Sequence, residues 1–275
     1  MKRLLVLFTI ISQVACNSKD TLDFKVHFNP ETKYIGTIQQ SSEDAFTYTG
    51  TPEFLNKLKE KGIQNPTIIK GKSRIESILN TGKLDTHEHF PIVFEITSTT
   101  DTNINKSLPA GSKVYGIGSL ENPLEFDSIS SKGIANGLKK DLLAAFKNIF
   151  TISTFPSKRI SVGEDFSRTI PISFQIAGTT LNMDVTTSYK LLSISNGIGT
   201  FDVIQVYSIS TKVNSEDITA TGEGKGLLLY DIKNNYYSKY QIEMNMKTHF
   251  ILNGFTLDGT TKSNLLQTNT IQREE

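Results

Sequence analysis

Asp85, His87 and His89 stand at alternate positions of the chain. In an extended strand such residues share a face, and two imidazoles with a carboxylate could hold a transition metal. No further ligand can be assigned to them elsewhere, and a solvated face at the start of a half-buried strand accounts for the pattern equally. No metal or cofactor is therefore expected. Gly222-Glu-Gly-Lys-Gly226 has the look of a phosphate loop. A phosphate cradle leads from a strand into a helix N-terminus, whereas these glycines run into the strand-like Leu227-Leu-Leu-Tyr230. A glycine-relieved strand, with a bulge or a closely approaching backbone, is the expected structure. Gly116-Ile-Gly118 leads into no helix either. Glu164 and Asp165 are successive and would point apart in an extended chain, so they do not form a carboxylate pair. Nothing here resembles a nucleophile elbow, and the chain is not expected to be an enzyme.

The remaining chemistry belongs to the single cysteine, Cys16. Lys2 and Arg3 precede an apolar run from Leu4 to Ile11, and the residues from Ser12 to Ala15 are then small or modest. That order is the architecture of an export signal, and the run is far below the ~20 residues of a spanning helix. The segment resembles a bacterial lipoprotein signal, with Val14 and Ala15 before the cysteine and Gln13 where that pattern usually has leucine. The resemblance implies cleavage between Ala15 and Cys16, acylation of Cys16 (palmitate being one such chain), and a cell-envelope location, with the outer membrane favoured and its face left open. An ordinary signal peptide with a chance cysteine is the alternative. With one cysteine there is no disulfide, so an exported domain must be held by its core.

Losing residues 1–15 would remove Lys2 and Arg3 from 29 basic side chains and leave 28 acidic ones, a net charge of −1. Such a balance predicts no nucleic-acid partner. Residues 16–22 read as an anchored cysteine and a short tether, and residues 23–275 as a mostly β domain. The pattern predicts an α+β fold, mostly antiparallel: a curved sheet, or two sub-sheets of consecutive hairpins divided near 150–157, with one main amphipathic helix. Phe24, Val26 and Phe28 alternate with polar residues up to Asn29-Pro30, the period of a half-buried strand. Residues 34–40 and 45–49 follow as strands, and 66–80 and 90–99 as a hairpin in which Pro91 marks an edge or an irregular start. Thr51-Pro52-Glu53 is a helix start, with Phe54, Leu55 and Leu58 facing inward and Gly62 as its stop.

The main helix is expected over 132–149, with Ser131 as N-cap and an inward stripe of Ile134, Leu138, Leu142, Phe146 and Ile149. Beyond it, Ile170, Ile172, Phe174 and Ile176 alternate. Asn196-Gly197 joins 183–194 to 198–211 as a hairpin. Leu227 to Tyr230 read as buried on both sides. Ile242 to Leu252 form a two-faced strand that Asn253-Gly254 turns back into 255–271. On that strand Met244, Met246 and Phe250 either pack in the core or line an adaptable apolar pocket.

Several short motifs are similar to those of a family of uncharacterised envelope lipoproteins of Gram-negative bacteria. They are Phe155 to Phe166, with Phe166 where many relatives carry tryptophan, Tyr189 to Ile194, Gly222 to Gly226, Leu229 to Asp231, and Asn29 to Tyr34. The resemblance implies a mostly β envelope lipoprotein and carries over no catalytic residue. The expected function is non-catalytic binding of an apolar or protein ligand by a protein attached to the membrane through its lipid. A structural or assembly role beside an envelope protein is the alternative, and a hydrolase comes behind both.

Overall fold

Strand alternation dominates the computed structural model, which describes residues 20–131, 134, 136–153, 155–176, 179–213, 216–252 and 254–273. Ala15 and Cys16 lie outside them. In chain order the elements are β1 (Thr21–Val26), β2 (Thr32–Gly50), α1 (Pro52–Glu60), β3 (Thr67–Thr81), β4 (His89–Thr99), α2 (Thr102–Ser107), β5 (Lys113–Ser119), β6 (Glu125–Ser130), α3 (Asn136–Ser153), β7 (Phe155–Ser161), β8 (Asp165–Ile176), β9 (Thr179–Ser195), β10 (Ile198–Val213), β11 (Glu216–Asp231), β12 (Tyr236–Leu252) and β13 (Phe255–Arg273).

Eleven strands form one antiparallel sheet in the order β6-β5-β4-β3-β2-β13-β12-β11-β10-β9-β8, and β1 pairs with β7 in a separate ribbon. Two runs of consecutive hairpins meet where β2 pairs with β13 over their full length, from Thr32↔Arg273 to Gly50↔Phe255. The outer strands β6 and β8 do not pair, so the sheet is open and not a closed barrel. The chain crosses from one edge to the other through α3 and β7.

One buried cluster joins Phe90 and Ile92 of β4 to Leu191 of β9, together with Leu22, Phe24 and Val26 of β1. Those two sheet strands are seven positions apart in the sheet order, about 34 Å if the sheet were flat at ~4.8 Å per strand. A single cluster can span them only because the sheet curls around the ribbon. Phe24 is 0% exposed, with its ring centroid 4.9 Å from those of Phe201 and Tyr230 and 5.5 Å from that of Phe166. The Tyr230 hydroxyl donates to the Lys25 carbonyl at 2.7 Å, tying the ribbon to β11.

Glycine permits the close strand approach. In β11, Gly222, Gly224 and Gly226 face Met246, Met244 and Ile242 of β12. A Cβ on Gly226 would run into the Gln241 carbonyl, and one on Gly222 would lie 2.6 Å from the Asn245 carbonyl. The expected close approach of a backbone is therefore that of β12. At Asn196-Gly197, φ values of 51° and 75° place both residues in the left-handed region that a two-residue type I′ hairpin demands.

Several local expectations are corrected. Residues 32–50 form one strand, because β13 and β3 pair with the polar stretch Ser41 to Asp44 from both sides. Such ladders override weak β propensity. Pro91 sits near the start of β4, an interior strand and not an edge. Of Leu227 to Tyr230 only Leu228 and Tyr230 are buried; Leu227 and Leu229, on the other face, are half-buried.

Helix α1 starts as expected, Thr51 Oγ1 accepting from the Phe54 N–H at 3.3 Å. It buries none of its residues, and its Phe54 ring stacks on Phe255 at the start of β13. The short α2, begun by the Asp101 carboxylate accepting from Ile104 N–H at 3.0 Å, has too few residues to carry a periodic signal.

Helix α3 begins at Asn136 and runs on to Ser153, four residues past the expected end. Phe146 is buried with Ile96, Val114 and Ile129, while Ile134, Leu142, Leu143 and Phe150 pack around them. Leu138 is 40% exposed. A strict four-residue repeat advances about 400° per step against 360° per turn, so the stripe winds away from the sheet at Leu138 and brings Phe150 in. The side chains of Ile149, Ile172, Phe174 and Ile176 lie outside those described.

Candidate functional site

The sequence candidates for chemistry do not converge. Asp85 Oδ1 accepts the backbone N–H groups of His87 and His89 at 2.8 and 2.9 Å. These residues therefore close the β3–β4 turn instead of sharing the face of an extended strand. The same bonds, that from His89 foremost, hold the Asp85 carboxyl below its ordinary range. Among the described residues no group of three or more His, Cys, Asp or Glu is placed to hold a metal. Glu164 accepts from the Ser161 N–H at 2.9 Å in the turn after β7, and Gly222 to Gly226 lie within β11.

A cavity of about 320 Å³ lies between α3 and the concave face of the sheet. That volume is at the small end of the ~300–1,000 Å³ typical of small-molecule sites. Leu142, Ala145, Phe146 and Phe150 of α3 form one wall. Phe94 and Ile96 of β4, with Ile75 and Leu79 of β3, form the floor. Phe28, Tyr34, Tyr236 and Tyr237 close one end, and Ser77, Gln267 and Asn269 supply its side-chain amides and a hydroxyl. None of these side chains is charged. Other hollows, such as that between Gln40, Lys70 and Thr102, open onto exposed polar residues.

The aromatic end is rigid. Phe28, Tyr34 and Tyr236 meet with centroids 5.0–5.2 Å apart, and Tyr237 stacks on Tyr236 at 4.5 Å. The Tyr34 hydroxyl accepts from the Asn29 N–H at 2.7 Å. Beyond the cavity the concave face carries a neutral network. Gln205 Nε2 donates to Thr187 Oγ1 and to the Tyr240 hydroxyl, each at 3.0 Å. The Tyr207 hydroxyl contacts Gln205 Oε1 and Met244 Sδ. Met244 thus serves the sheet-facing network, and neither it, Met246 nor Phe250 lines the cavity.

Burial raises six tyrosine hydroxyls above their ordinary value: Tyr34, Tyr189, Tyr207, Tyr230, Tyr236 and Tyr240, with Tyr207 and Tyr230 pushed up to about 12. An acid with a raised folded-state pKa loses its proton first in the unfolded chain. The unfolded state therefore binds fewer protons above about pH 10, and stability falls as pH rises through that point. Each tyrosine then contributes a slope of ~1.4 kcal/mol per pH unit until its own folded-state pKa is reached. Denaturant melts at pH 9, 10 and 11 should show flat behaviour up to about pH 10 and a steep loss above it. Equal stability at pH 9 and 11 would contradict the buried, neutral hydroxyls.

Sequence reasoning missed most of this cavity. Phe28, Leu142 and Phe146 stand on apolar faces that the sequence pattern predicts, but Tyr236, Tyr237, Gln267 and Asn269 carry no local signal, since their meeting depends on how β12 and β13 lie beside β2. No helix among the described residues is long and apolar enough to cross a membrane.

No family model and no curated protein matches the chain. Among solved structures, the secretin InvG of the Salmonella SPI-1 type III secretion injectisome (residues 176-end, open gate state) is 10% identical over 88% of this chain and 58% of its own, with a TM-score of 0.17. The type II secretion secretin XcpQ from Pseudomonas aeruginosa is 13% identical over the same shares, with a TM-score of 0.13. This chain spans less than two thirds of either, and superpositions this slight define no shared fold.

Proposed function

We propose that this chain is a cell-envelope protein, anchored by a lipid on Cys16, whose folded body binds an apolar ligand without transforming it. The observation that carries the binding reading is the cavity under α3: seven aromatic rings and several aliphatic side chains around 320 Å³, with no charged side chain among its described lining residues. A few neutral polar groups in an otherwise apolar hollow suit retention of a hydrophobic molecule, and among the described residues no paired acid, base and nucleophile stands beside it. The signal architecture of residues 1–16 supports the anchor.

Native mass spectrometry of the protein extracted in mild detergent tests the binding. The expected result is a bound apolar mass that is lost from Leu142→Trp, whose larger side chain fills the cavity. A wild type that carries and takes up no apolar molecule overturns the reading, and a stoichiometric protein partner in its place would favour an assembly role. For the anchor, Cys16→Ser should leave the membrane fraction or accumulate as uncleaved precursor. A variant that is processed normally and stays membrane-bound would refute it.

A further inference from the structure

Within the cavity the side-chain amides of Gln267 and Asn269 and the Ser77 hydroxyl are gathered on one wall. Position 36 has no side chain, and a Cβ there would lie 3.2 Å from Ser77 Oγ and 3.3 Å from Asn269 Oδ1. The strand register puts Ser77 and Asn269 on either side of Gly36, with Gln267 two residues along β13 on the same face. The Asn269 amide is oriented by the fold, since its Nδ2 donates to the Tyr237 carbonyl at 3.0 Å. Its Oδ1 is thereby turned toward Gly36 as an acceptor, beside a hydroxyl that can donate or accept. Gly36 leaves both oxygens accessible from the cavity.

We infer that the ligand is a neutral amphiphile, a single hydrocarbon chain ending in a hydroxyl or amide, whose polar end binds at the Gly36–Ser77–Asn269 wall while its chain lies along Phe94, Phe146 and Phe150. This rests on the binding reading above and narrows it. An ionised carboxylate is acceptor-only and would face the Asn269 carbonyl oxygen with no cation among the described lining residues. Burying an unpaired charge is heavily disfavoured. An ammonium head would likewise find no carboxylate. A hydroxyl or amide head can donate to Asn269 Oδ1 and accept from Ser77.

Displacement of the fluorescent apolar probe N-phenyl-1-naphthylamine by dodecanol, laurate and dodecylammonium at pH 8 tests the assignment. Dodecanol should displace the probe at concentrations at least tenfold below those of either ion. Gln267→Lys, which places a cation on the polar wall, should shift the laurate-to-dodecanol ratio at least tenfold toward laurate. Reading each ligand against itself in wild type and variant removes its own partitioning from the comparison. If the wild type shows no preference and the ratio is unmoved by Gln267→Lys, the head lies in solvent and the inference fails while the cavity reading stands. If the probe binds wild type and Leu142→Trp equally, or binds neither, the cavity reading itself fails and this inference with it. A fold check on Gln267→Lys by thermal melt separates lost binding from lost structure.

Discussion

Replacing Phe24 with alanine should destabilise the protein by about 3–5 kcal/mol, the range for removing a buried phenylalanine. At ~2–4 °C per kcal/mol for a chain near this size, the melting temperature should fall by roughly 6–20 °C. The ring sits where the β1–β7 ribbon enters the curled sheet and touches three aromatic rings from β8, β10 and β11. Its removal leaves a void that the paired strands cannot close without giving up their register. Phe54→Ala is the control. That ring also stacks on another aromatic, Phe255 at 4.4 Å, but on a helix that buries nothing, so its loss should cost only about 0.5–1.5 kcal/mol. Melts of both variants decide the matter. A Phe24→Ala protein that melts within 2 °C of wild type would mean that the ribbon is not the centre of the core.

Phe146→Asp should be more severe still. Phe146 is 8% exposed, with ring centroids of Phe94 and Phe126 at 5.2 and 5.6 Å. The substitution combines the ~3–5 kcal/mol loss of a buried ring with the burial of an unpaired carboxylate. Together these approach a typical total stability of about 5–15 kcal/mol. Undocking of α3 would also remove a cavity wall, so ligand retention should go with the fold. Leu138→Asp lies on the same helix at a half-open position and should cost under about 1 kcal/mol. The pair separates two accounts of α3. A face centred on Phe146 and Phe150 predicts a large effect and a small one. The four-residue stripe from Ile134 to Ile149 predicts two large ones, and finding them would show that the helix is rotated from the orientation described.

The contrast at Leu138 illustrates where sequence pattern stops. The polar-apolar alternation along β1 and β12, the Asn196-Gly197 turn, the Thr51-Pro52 helix start and the existence of a long amphipathic helix were all legible. Each follows from interactions between residues a few positions apart, through side-chain period, turn dihedrals or capping. The antiparallel, mostly β class came from the same local facts, because consecutive strands joined by tight turns can pair only antiparallel.

What the tertiary structure alone decided is where the strands end and what they enclose. Ser41 to Asp44 has little strand character by itself, yet it is held extended because β3 and β13 flank it. Leu227 to Tyr230 reads as uniformly apolar, but one side faces the core and the other does not, because the ribbon and α3 cover a single face of the sheet. The cavity belongs wholly to this level. Phe28, Ser77, Phe146, Tyr236 and Asn269 are scattered over some 240 positions of the chain, and no spacing relates them. They meet because β2, near the start, pairs with β13, at the end, and because α3 crosses the concave face between the sheet's two open edges. Long-range pairing of that kind is set by the joint burial of many side chains and by the curl of the sheet around the ribbon. Neither is encoded in any local window, and both determine whether the apolar face of α3 closes completely on the sheet or leaves room for a ligand.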